Sequence, residues 1–424
     1  MQIIITIIFI LLLVLFYVLQ RKQVSFNKRV LLSLVLGLLL SFYVRYFPVP
    51  AGQINILSGL FRFVGSAYLA LLKMLVVPLV FTSIVYAMLK LGKASINTFK
   101  RVVSGTVIML LLMTGISAMI GMGIGVLFHI GDGLHIVGSR TPPHHYGGLV
   151  DTLLGFLPSN PVAAMANGNT IALVIFAVFI GFAVLLLQQL DSKKSEYFHD
   201  FIESAFHVSK KLAVLVIELT PYGVLGLMAY AGWYNLIGLV SFVIAMYVAM
   251  LIVFSMHLVI LMMIGYLPWR YLRSAYPALI VAFLTRSSFG TLPVTEEILL
   301  SRFKIRQSIA TFTPSIGATM GMNACAGIFP AMLVVMAMHI THQPITLTTV
   351  FIVAGINAIA SLGISGIPGT AFIAASVTLT TLGLPYAVVG LAQGVDPLVD
   401  MGRTVVNVNG VMTTALTVDK LMKE

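Results

Sequence analysis

The chain has 424 residues, of which 59% are hydrophobic and only 9% are charged, and its mean hydropathy is +1.05. These values exclude an ordinary soluble globular protein and indicate an all-α polytopic membrane protein. The formal net charge of +12 would suit a nucleic-acid partner, but Lys and Arg cluster in short loops between apolar runs, so nucleic acid is not implied. The one cysteine, Cys325, excludes an internal disulfide.

The predicted membrane helices follow apolar runs that Gly, Pro and short basic loops interrupt. These runs cover roughly residues 1–20, 30–44, 64–89, 102–128, 169–188, 211–232, 236–266, 308–340, 348–360, 371–381 and 386–418. The positive-inside rule places the basic loops, and with them the C-terminus, in the cytoplasm.

Three features of the first half carry an interpretation. Residues 1–20 are apolar and lack a basic leader or an A-x-A cleavage site, so we predict a retained first helix with its N-terminus outside. Residues 129–148 are rich in Gly, Pro and His, and this composition favours a solvated outside loop over a surface metal site. Glu218, a lone acid before a proline kink, is either a proton carrier or a buried interface residue.

Polar tips interrupt two pairs of short apolar arms in the second half. The chain reads LTRSSFGTLPVTEE at 284–297 and ASLGISGIPGT at 360–370. The flanking arms have only about 10 to 14 residues, too few to cross a bilayer singly. Each pair therefore predicts a re-entrant hairpin. Because non-helical backbone at that depth is tolerated only beside a cavity, both tips are expected to meet the functional site.

Between the two tips the run TPSIGATMGMNACAGIFP contains Gly317, Gly321 and Gly327. Three glycines in a spanning run predict a locally unwound helix whose carbonyls can coordinate a cation. Two interrupted segments in corresponding places, each followed by a broken or polar helix, are typical of an inverted-repeat secondary transporter with its site at the membrane midplane. Chance packing of Gly and Ser between helices is the alternative explanation.

Near the C-terminus, Asp396, Asp400, Arg403, Asn407 and Val411 recur at helical spacing. Intramembrane charges cost roughly 2.5 to 3.5 kcal/mol each, so they normally face a bundle interior or a wet cavity. One interpretation is a structural ion pair between Asp400 and Arg403. The second acid and the amide on the same face favour a site for a zwitterionic or anionic organic solute, with guanidinium for a carboxylate and carboxylate for an ammonium.

Four motifs follow one another in a set order: RSSFGTLPVT, GATMGMNAC, SLGISGIPG and DMGRTVVNVNG. In this order and spacing they resemble the dicarboxylate/amino acid:cation symporters, the glutamate transporter family. The similarity runs from about Ser25 to the C-terminus. Within the family, the extra N-terminal helix and the stretches QRKQVSFNKR and LVDTLLGFLPSNPVAAMANGN are most similar to the bacterial L-cystine uptake branch.

The resemblance implies an inverted-repeat fold in the bacterial cytoplasmic (inner) membrane and a homotrimer. It also implies an elevator movement, in which scaffold helices stay fixed while the two hairpins and the last helices carry the substrate. The implied parts are an extra N-terminal transmembrane helix (1–24), scaffold helices (25–98), a transport-domain helix (99–128), an outside loop (129–150), scaffold and trimerisation helices (151–234) and a transport domain (235–424) that holds helix 6, hairpin 1 (about 275–303), broken helix 7, hairpin 2 (about 345–381) and helix 8.

The resemblance further implies two sets of site residues. The substrate-binding set is Arg286, Ser287, Ser288, Met322, Cys325, Gly366, Ile367, Pro368, Gly369, Asp400, Arg403, Thr404 and Asn407. In it, Asp400 and Asn407 would bind the substrate ammonium and Arg403 a distal carboxylate. The cation-coupling set is Thr319, Met322, Ser361, Leu362, Ile364, Asp396 and Asp400.

The chain departs from sodium-coupled relatives at two positions. Where they read N-M-D-G-T, residues 321–325 read GMNAC, and Val411 stands where they have an acid. Because a hard cation without anionic ligands is poorly held, we question two of the usual sodium sites. A third sodium site needs no acid and would consist of Thr319, Met322, Ser361 and Ile364. We therefore expect coupling to one sodium ion or to protons, with Asp396, Asp400 or Glu218 as the proton carrier.

The expected function is secondary active symport of L-cystine and related amino acids, with no cofactor beyond a coupling cation. A glutamate, aspartate or C4-dicarboxylate symporter would use the same Arg403 and is the alternative. A membrane enzyme is disfavoured because no His stands beside an acid in a spanning segment and Cys325 has no base near it in sequence. A channel is disfavoured because the two tips differ and form no repeated pore motif.

Overall fold

The structure, a computed structural model, describes residues 2–46, 51–92, 98–132, 157–167, 170–190, 192–363 and 371–422. Within these ranges the regular elements are helices, and no β-strand occurs among the described residues. In chain order they are α1 (Gln2–Arg21), α2 (Phe26–Tyr46), α3 (Ala51–Met74), α4 (Val76–Gly92), α5 (Thr98–Leu127), α6 (Pro161–Ala166), α7 (Thr170–Leu190), α8 (Ser192–Ile217), α9 (Thr220–Met263), α10 (Pro268–Thr285), α11 (Ser288–Ser301), α12 (Gln307–Gly317), a π-helix (Asn323–Ile328), α13 (Phe329–Ile340), α14 (Leu347–Ala360), a 3₁₀ turn (Ser361–Gly363), α15 (Ala371–Thr381) and α16 (Ala387–Leu421). The expectation of an all-helical protein is confirmed.

Several of these helices are suited to a lipid environment. Among the described residues, five are long and apolar enough to cross a membrane: Ile3–Arg21, Gly59–Tyr86, Val102–Leu127, Gly238–Met263 and Asn323–Ile340. Many large apolar side chains point outward, as expected where lipid surrounds the protein and helices satisfy the backbone polar groups internally. The chain is an integral membrane protein with several spans.

Helix α1 lies at the periphery. The Phe9 ring packs on Phe61 of α3 with 4.7 Å between centroids, and Phe16 packs on Tyr222 of α9 at 6.2 Å. Ile3 and Leu11 point away from the protein and are exposed. The helix predicted within residues 1–24 is therefore present, with one side on its neighbours and the other available to lipid. The predicted outside location of its N-terminus stays a prediction.

Helix α9 continues through a stretch that the sequence marks as a connection. Its 44 residues correspond to roughly 66 Å of α-helix, about twice the hydrocarbon thickness of a bilayer. The gap between the predicted apolar runs 211–232 and 236–266 and the predicted domain boundary at 234/235 both fall inside it. The stretch lacks a proline, and a single helical glycine such as Gly232 costs only about 1 kcal/mol, which leaves the helix intact.

Helices α10 and α11 form a tight antiparallel pair. Arg286 ends α10 in the left-handed conformation (φ 53°), and Ser287 caps α11 by accepting a hydrogen bond from the Gly290 amide at 3.0 Å. At the far end, Arg302 Nη1 donates to the carbonyl of Ser274 at 3.0 Å. The first arm begins at Pro268 rather than near 275, because proline is well tolerated at a helix start. Re-entry of this hairpin from one side of the membrane stays a prediction.

The predicted break in the next helix is present. Helix α12 ends at Gly317, and the chain resumes as a π-helix only at Asn323. Gly321 adopts a φ of +69°, which favours glycine, and a Cβ there would lie 2.4 Å from the Leu110 Cβ on α5. Both the positive φ and the close approach of α5 require a glycine at position 321. The helix is therefore interrupted within the glycine-containing motif.

Helices α14 and α15 correspond to the second predicted hairpin, at about 345–381. Thr378 of α15 donates to Asn357 Oδ1 of α14 at 2.5 Å, and Asn357 Nδ2 donates to the Gly327 carbonyl at 3.0 Å. The two arms are thus tied to each other and to the π-helix. The tip between them, residues 364–370, lies outside the described residues.

Helix α16 occupies the interior. Most of its side chains, apolar and polar alike, are buried. It packs against α9, α10, α12, α5 and the π-helix. A helix buried all round belongs to the core of a large protein, so its polar side chains must find partners inside the protein.

Candidate substrate and cation site

The polar stripe of α16 converges on one guanidinium. Arg403 has no exposed surface (0%), and its Nη2 donates to Oδ1 of Asp396 and to Oδ1 of Asp400, the latter at 3.0 Å. These residues lie seven and three positions before Arg403, so helical spacing alone brings them together. The proximity expected from the sequence is confirmed, and the ion pair considered as a structural alternative is also present.

The ion pair leaves several of its own polar atoms without a hydrogen-bond partner within the described part of the chain. These atoms are Nε and Nη1 of Arg403 and Oδ2 of Asp400. A buried donor or acceptor without a partner costs about 1 to 3 kcal/mol, and more when it is charged. A purely structural pair would be expected to satisfy these groups internally, so they indicate a place where a charged ligand can bind.

The ring of Phe329 supports the Arg403 guanidinium. The Cζ atom lies 4.3 Å from the ring centroid, a cation–π contact worth up to about 2 kcal/mol when both groups are desolvated. Phe329 is the first residue of α13, directly after the π-helix. The broken helix thus holds the guanidinium in place. The sequence does not indicate this role of Phe329, because one aromatic residue in an apolar helix carries no signal of such a contact.

The first hairpin tip reaches the same carboxylate. Arg286 Nη1 lies 4.0 Å from Asp400 Oδ2, and both side chains are buried. The Arg286 Cζ atom lies 5.7 Å from the ring centroid of Phe26, at the start of α2. Ser288 is also buried, whereas Ser287 uses its hydroxyl oxygen to cap α11. The expected meeting of this tip with the α16 stripe is therefore observed at Arg286.

Asn407 is engaged with the broken helix. Its Oδ1 accepts from the amides of Ala324 at 2.9 Å and Cys325 at 3.4 Å, and its Nδ2 contacts the Cys325 Sγ at 3.0 Å. A substrate ammonium that binds Asn407 Oδ1 would have to replace the longer hydrogen bond, from the Cys325 amide, or share this oxygen with it. Thr404 donates to its own helix, to the Asp400 carbonyl at 2.8 Å. The structure thus places both residues on the polar stripe of α16 and shows that Asn407 holds the π-helix, whereas substrate contacts of Asn407 and Thr404 stay a prediction.

The structure gives contacts for three of the residues that the resemblance implies for an acid-free sodium site, and the site itself stays a prediction. The amide of Gly321 donates to the Ser361 carbonyl at 3.1 Å, which joins the break after α12 to the end of α14. The Thr319 hydroxyl donates to the Ile316 carbonyl at 2.8 Å. Met322, three residues after Thr319, is buried. The remaining members of this site and of the second tip, Ile364, Gly366, Ile367, Pro368 and Gly369, lie outside the described residues.

Leu362, also in the cation-coupling set, is half-buried and packs against the apolar cluster that contains Val411. Val411 itself lies in an apolar cluster with Leu110, Ile316 and Met320. A hard cation prefers oxygen ligands, which this cluster does not supply from its side chains. The structure therefore agrees with the reasoning that questioned a sodium site at Val411.

Glu218 is paired rather than isolated. Its Oε2 accepts from Arg29 Nη2 at 2.8 Å, and the Arg29 side chain is only 6% exposed. Arg29 Nε also donates to the Val24 carbonyl at 3.1 Å. The interface interpretation of Glu218 accounts for these contacts, since the carboxylate balances a buried arginine at the start of α2.

The arrangement as a whole is that of a membrane transporter. A buried arginine and two carboxylates lie where a hairpin tip, a broken helix and a core helix meet, and incomplete helices at membrane depth are a feature of secondary transporters.

Comparisons with known proteins identify the class. The profile of the sodium:dicarboxylate symporter family matches residues 26–421. The L-cystine uptake protein TcyP of Bacillus thuringiensis (strain Al Hakam) is 36% identical over 96% of this chain and 92% of its own. TcyP of Bacillus licheniformis is 35% identical over 97% and 93%. An uncharacterized symporter of Haemophilus influenzae is 34% identical over 98% of each chain. The chain belongs to the sodium:dicarboxylate symporter family and is a transporter, not an enzyme.

Proposed function

We propose that the protein is a secondary active symporter that takes up L-cystine through the cytoplasmic membrane, driven by a cation gradient. The observation that carries this proposal is a set of buried polar atoms that have no hydrogen-bond partner among the described residues: the donors Nε and Nη1 of Arg403 and the acceptor Oδ2 of Asp400. The naming of relatives at 36% identity as L-cystine uptake proteins supports the choice of substrate.

The chemistry of the site suits an amino acid with a second charged end. The guanidinium of Arg403 can hold a carboxylate through two N–H groups, and the Asp400 carboxylate can hold an ammonium. Asp396 would keep Arg403 in position when substrate takes over the interactions of Asp400. Cystine has an ammonium and a carboxylate at each end, so one end can be bound by Asp400 while Arg403 holds the carboxylate of the other.

Coupling would use few cations. Asn323 and Val411 replace carboxylates that sodium-coupled relatives carry, and Val411 lies among apolar side chains. A buried sodium ion needs several oxygen ligands and benefits from anionic ones. We therefore assign coupling to protons, with one sodium ion at Thr319, Met322, Ser361 and Ile364 as the competing possibility.

Transport would follow the elevator movement expected for the family, in a homotrimer with the C-terminus in the cytoplasm. In support, α10, α11, α12 and the C-terminal part of α16 pack on one apolar cluster, to which Val102 of α5 and Leu261 of α9 also belong, as expected of helices that stay together. Determining the mass of the purified protein in detergent tests the trimer, because a monomer or dimer would contradict it.

A glutamate, aspartate or C4-dicarboxylate symporter is the second candidate. The observation in its favour is the same Arg403, since a single distal carboxylate suffices to use it, and the family description names dicarboxylates. A dicarboxylate without an amino group would leave Asp400 facing no ammonium, so the carboxylate of Asp400 favours amino acids over succinate.

Uptake by purified protein in proteoliposomes separates these candidates. Labelled cystine would be offered under a proton gradient alone, a sodium gradient alone or neither, with glutamate, aspartate and succinate as competitors. We expect proton-driven cystine uptake that dicarboxylates inhibit weakly.

Arg403→Lys should reduce cystine uptake strongly, because a single ammonium cannot replace the two-pronged guanidinium. Arg270→Lys, at an exposed position, serves as the matched control. Strong inhibition of cystine uptake by succinate, or uptake of labelled succinate or aspartate with none of cystine, would favour the second candidate.

A further inference from the structure

A histidine lies buried in a membrane span outside the Arg403 site. His257 belongs to α9, within the span Gly238–Met263, and has no exposed surface. An ionisable side chain at such a depth is usually functional, because water cannot stabilise its charge there. Its neighbours come from other elements: Asn409 on α16, Asn323 on the π-helix and, through Asn409, Tyr271 on α10.

The hydrogen bonds on one side of the ring define its neutral form. Tyr271 donates its hydroxyl to Asn409 Oδ1 at 2.6 Å. The amide nitrogen of Asn409 therefore faces the imidazole, and its Nδ2 lies 3.1 Å from His257 Nδ1. In this assignment, which follows from the network, Nδ1 accepts and the ring proton is on Nε2.

On the other side of the ring, His257 Nε2 and the nearby Asn323 Oδ1 both lack a hydrogen bond among the described residues. Both atoms are buried. A Cβ built on Gly410 would lie 2.0 Å from Asn323 Oδ1 and 3.1 Å from His257 Cε1, so only a glycine at this position lets both side chains pack against α16. A buried donor and a buried acceptor thus lie against the same glycine.

The geometry points to a proton-binding site: we propose that His257 binds and releases the proton that is cotransported with substrate. Protonation at Nδ1 requires an acceptor there, and rotation of the Asn409 amide by half a turn supplies its Oδ1. The Tyr271 hydroxyl then accepts from Asn409 Nδ2, and Nε2 keeps its proton toward Asn323 Oδ1. One amide rotation therefore lets the same cluster hold both the neutral and the charged ring.

Few other charged groups act on the ring. Tyr271 is the titratable member of the cluster, and among the described residues the imidazole forms no ion pair with a carboxylate. Asp400 precedes Asn409 by nine residues on α16, roughly 13 Å along the helix axis. The proton bound at His257 is thus separate from the charges of the substrate site.

The cluster is nevertheless connected to the substrate site by short stretches of chain. Asn323 directly precedes Ala324 and Cys325, whose amides bind Asn407, and Asn407 lies two residues before Asn409 on α16. Reorganisation of Asn323 and Asn409 on protonation can therefore alter the contacts of Asn407. The inference rests on the proposed cation symport and names the cation as a proton and His257 as its carrier.

The test compares His257→Gln with His207→Gln, a matched change at an exposed histidine of α8. Glutamine keeps a hydrogen-bonding amide but does not titrate. Proteoliposomes with an internal pH dye would report substrate-evoked acidification, and exchange of labelled substrate without a gradient would report substrate translocation. For His257→Gln we expect acidification and pH-driven accumulation to fall at least about ten-fold, with exchange reduced less than about three-fold. His207→Gln should resemble the unmodified protein.

Two results would overturn the proposal: acidification retained in His257→Gln, or sodium-driven uptake by the unmodified protein without proton movement. Failure to exchange cystine would instead count against the proposed substrate, and the same dye assay would then use aspartate and succinate.

If His257→Gln does not fold, Tyr271→Phe gives a second readout. It frees Asn409 to turn its oxygen to the imidazole, so the pH midpoint of uptake should rise by about half a unit or more. An unchanged midpoint would also contradict the proposal.

Discussion

The Nη1 atom of Arg286 lies 4.0 Å from Oδ2 of Asp400, so the first hairpin tip and helix α16 share one buried carboxylate. The other oxygen of Asp400 is already bound by Arg403 at 3.0 Å. A substrate ammonium that binds Oδ2, which has no hydrogen-bond partner among the described residues, would come close to the Arg286 guanidinium and be repelled by it unless the tip moves. Binding of substrate and displacement of this tip are expected to occur together.

The two carboxylates next to Arg403 should differ in importance. Asp400→Asn removes the proposed ammonium ligand, and loss of one partner of a buried charge pair typically costs 2 to 5 kcal/mol. We expect cystine affinity to fall by about 30-fold or more. Asp396→Asn leaves the ammonium ligand in place and should weaken binding by about ten-fold at most. Equilibrium binding to purified protein measures both, and equal losses in the two variants would contradict these roles.

Arg403 should determine whether a second charged end is recognised. Arg403→Cys removes the guanidinium that lies over Phe329, and we expect cystine affinity to fall while small neutral amino acids become better competitors. Competition for labelled cystine or serine measures the change in preference. Arg270→Cys, at an exposed position, is the control. Selectivity that stays the same in Arg403→Cys would show that this residue does not bind the distal group.

Cys325 should matter through its contact with Asn407. Cys325→Ala removes the sulfur 3.0 Å from Asn407 Nδ2 and leaves a buried N–H unpaired, at a cost of about 1 to 3 kcal/mol. Cys325→Ser replaces the acceptor with a hydroxyl oxygen and should be less destabilised. Thermal unfolding in detergent would show a melting temperature lower for the alanine variant than for the serine variant. The reverse order would argue that packing, rather than this hydrogen bond, dominates at the position.

Restoring the two missing carboxylates should restore sodium binding. Val411→Asp places a charge in the apolar cluster of Leu110, Ile316 and Met320, so the single variant is expected to be destabilised. In Asn323→Asp/Val411→Asp, added sodium should raise the melting temperature by about 2 °C or more, because a bound ion stabilises the folded state by mass action. The unmodified protein, with potassium as the matched salt, provides the baseline. If sodium changes the melting temperature of the double variant no more than that of the unmodified protein, the missing carboxylates at positions 323 and 411 do not account for weak sodium binding.

Glu218 should contribute to stability rather than to coupling. Glu218→Gln leaves the buried Arg29 without its counter-charge, and because Glu218 is 39% exposed we expect a loss of only about 1 to 2 kcal/mol. Substrate-evoked proton movement should persist. Its abolition in this variant, at normal protein abundance and substrate exchange, would identify Glu218 as the proton carrier in place of His257.

Local spacing in the sequence predicted a substantial part of the site. Charged residues three and four apart on a helix share one face whatever surrounds the helix, so Asp396, Asp400 and Arg403 were expected together. Glycines within an apolar run indicated the break before the π-helix, because Gly321 adopts a backbone conformation that other residues avoid. The family resemblance, borne by four motifs, agreed with the family that the comparisons establish.

The sequence alone therefore determined the membrane class, the stripe and the broken helix, all of which depend on residues close together in the chain. Tertiary structure decided the contacts between distant segments: Phe329 over Arg403, Asn407 on the π-helix, Arg29 on Glu218, and His257 between Asn323 and Asn409. An ionisable residue in an apolar run could have drawn attention to His257, but its partners lie 66 and 152 positions away. Helical periodicity describes one helix at a time, whereas packing between helices decides which polar groups are satisfied and which are left for a ligand or a proton.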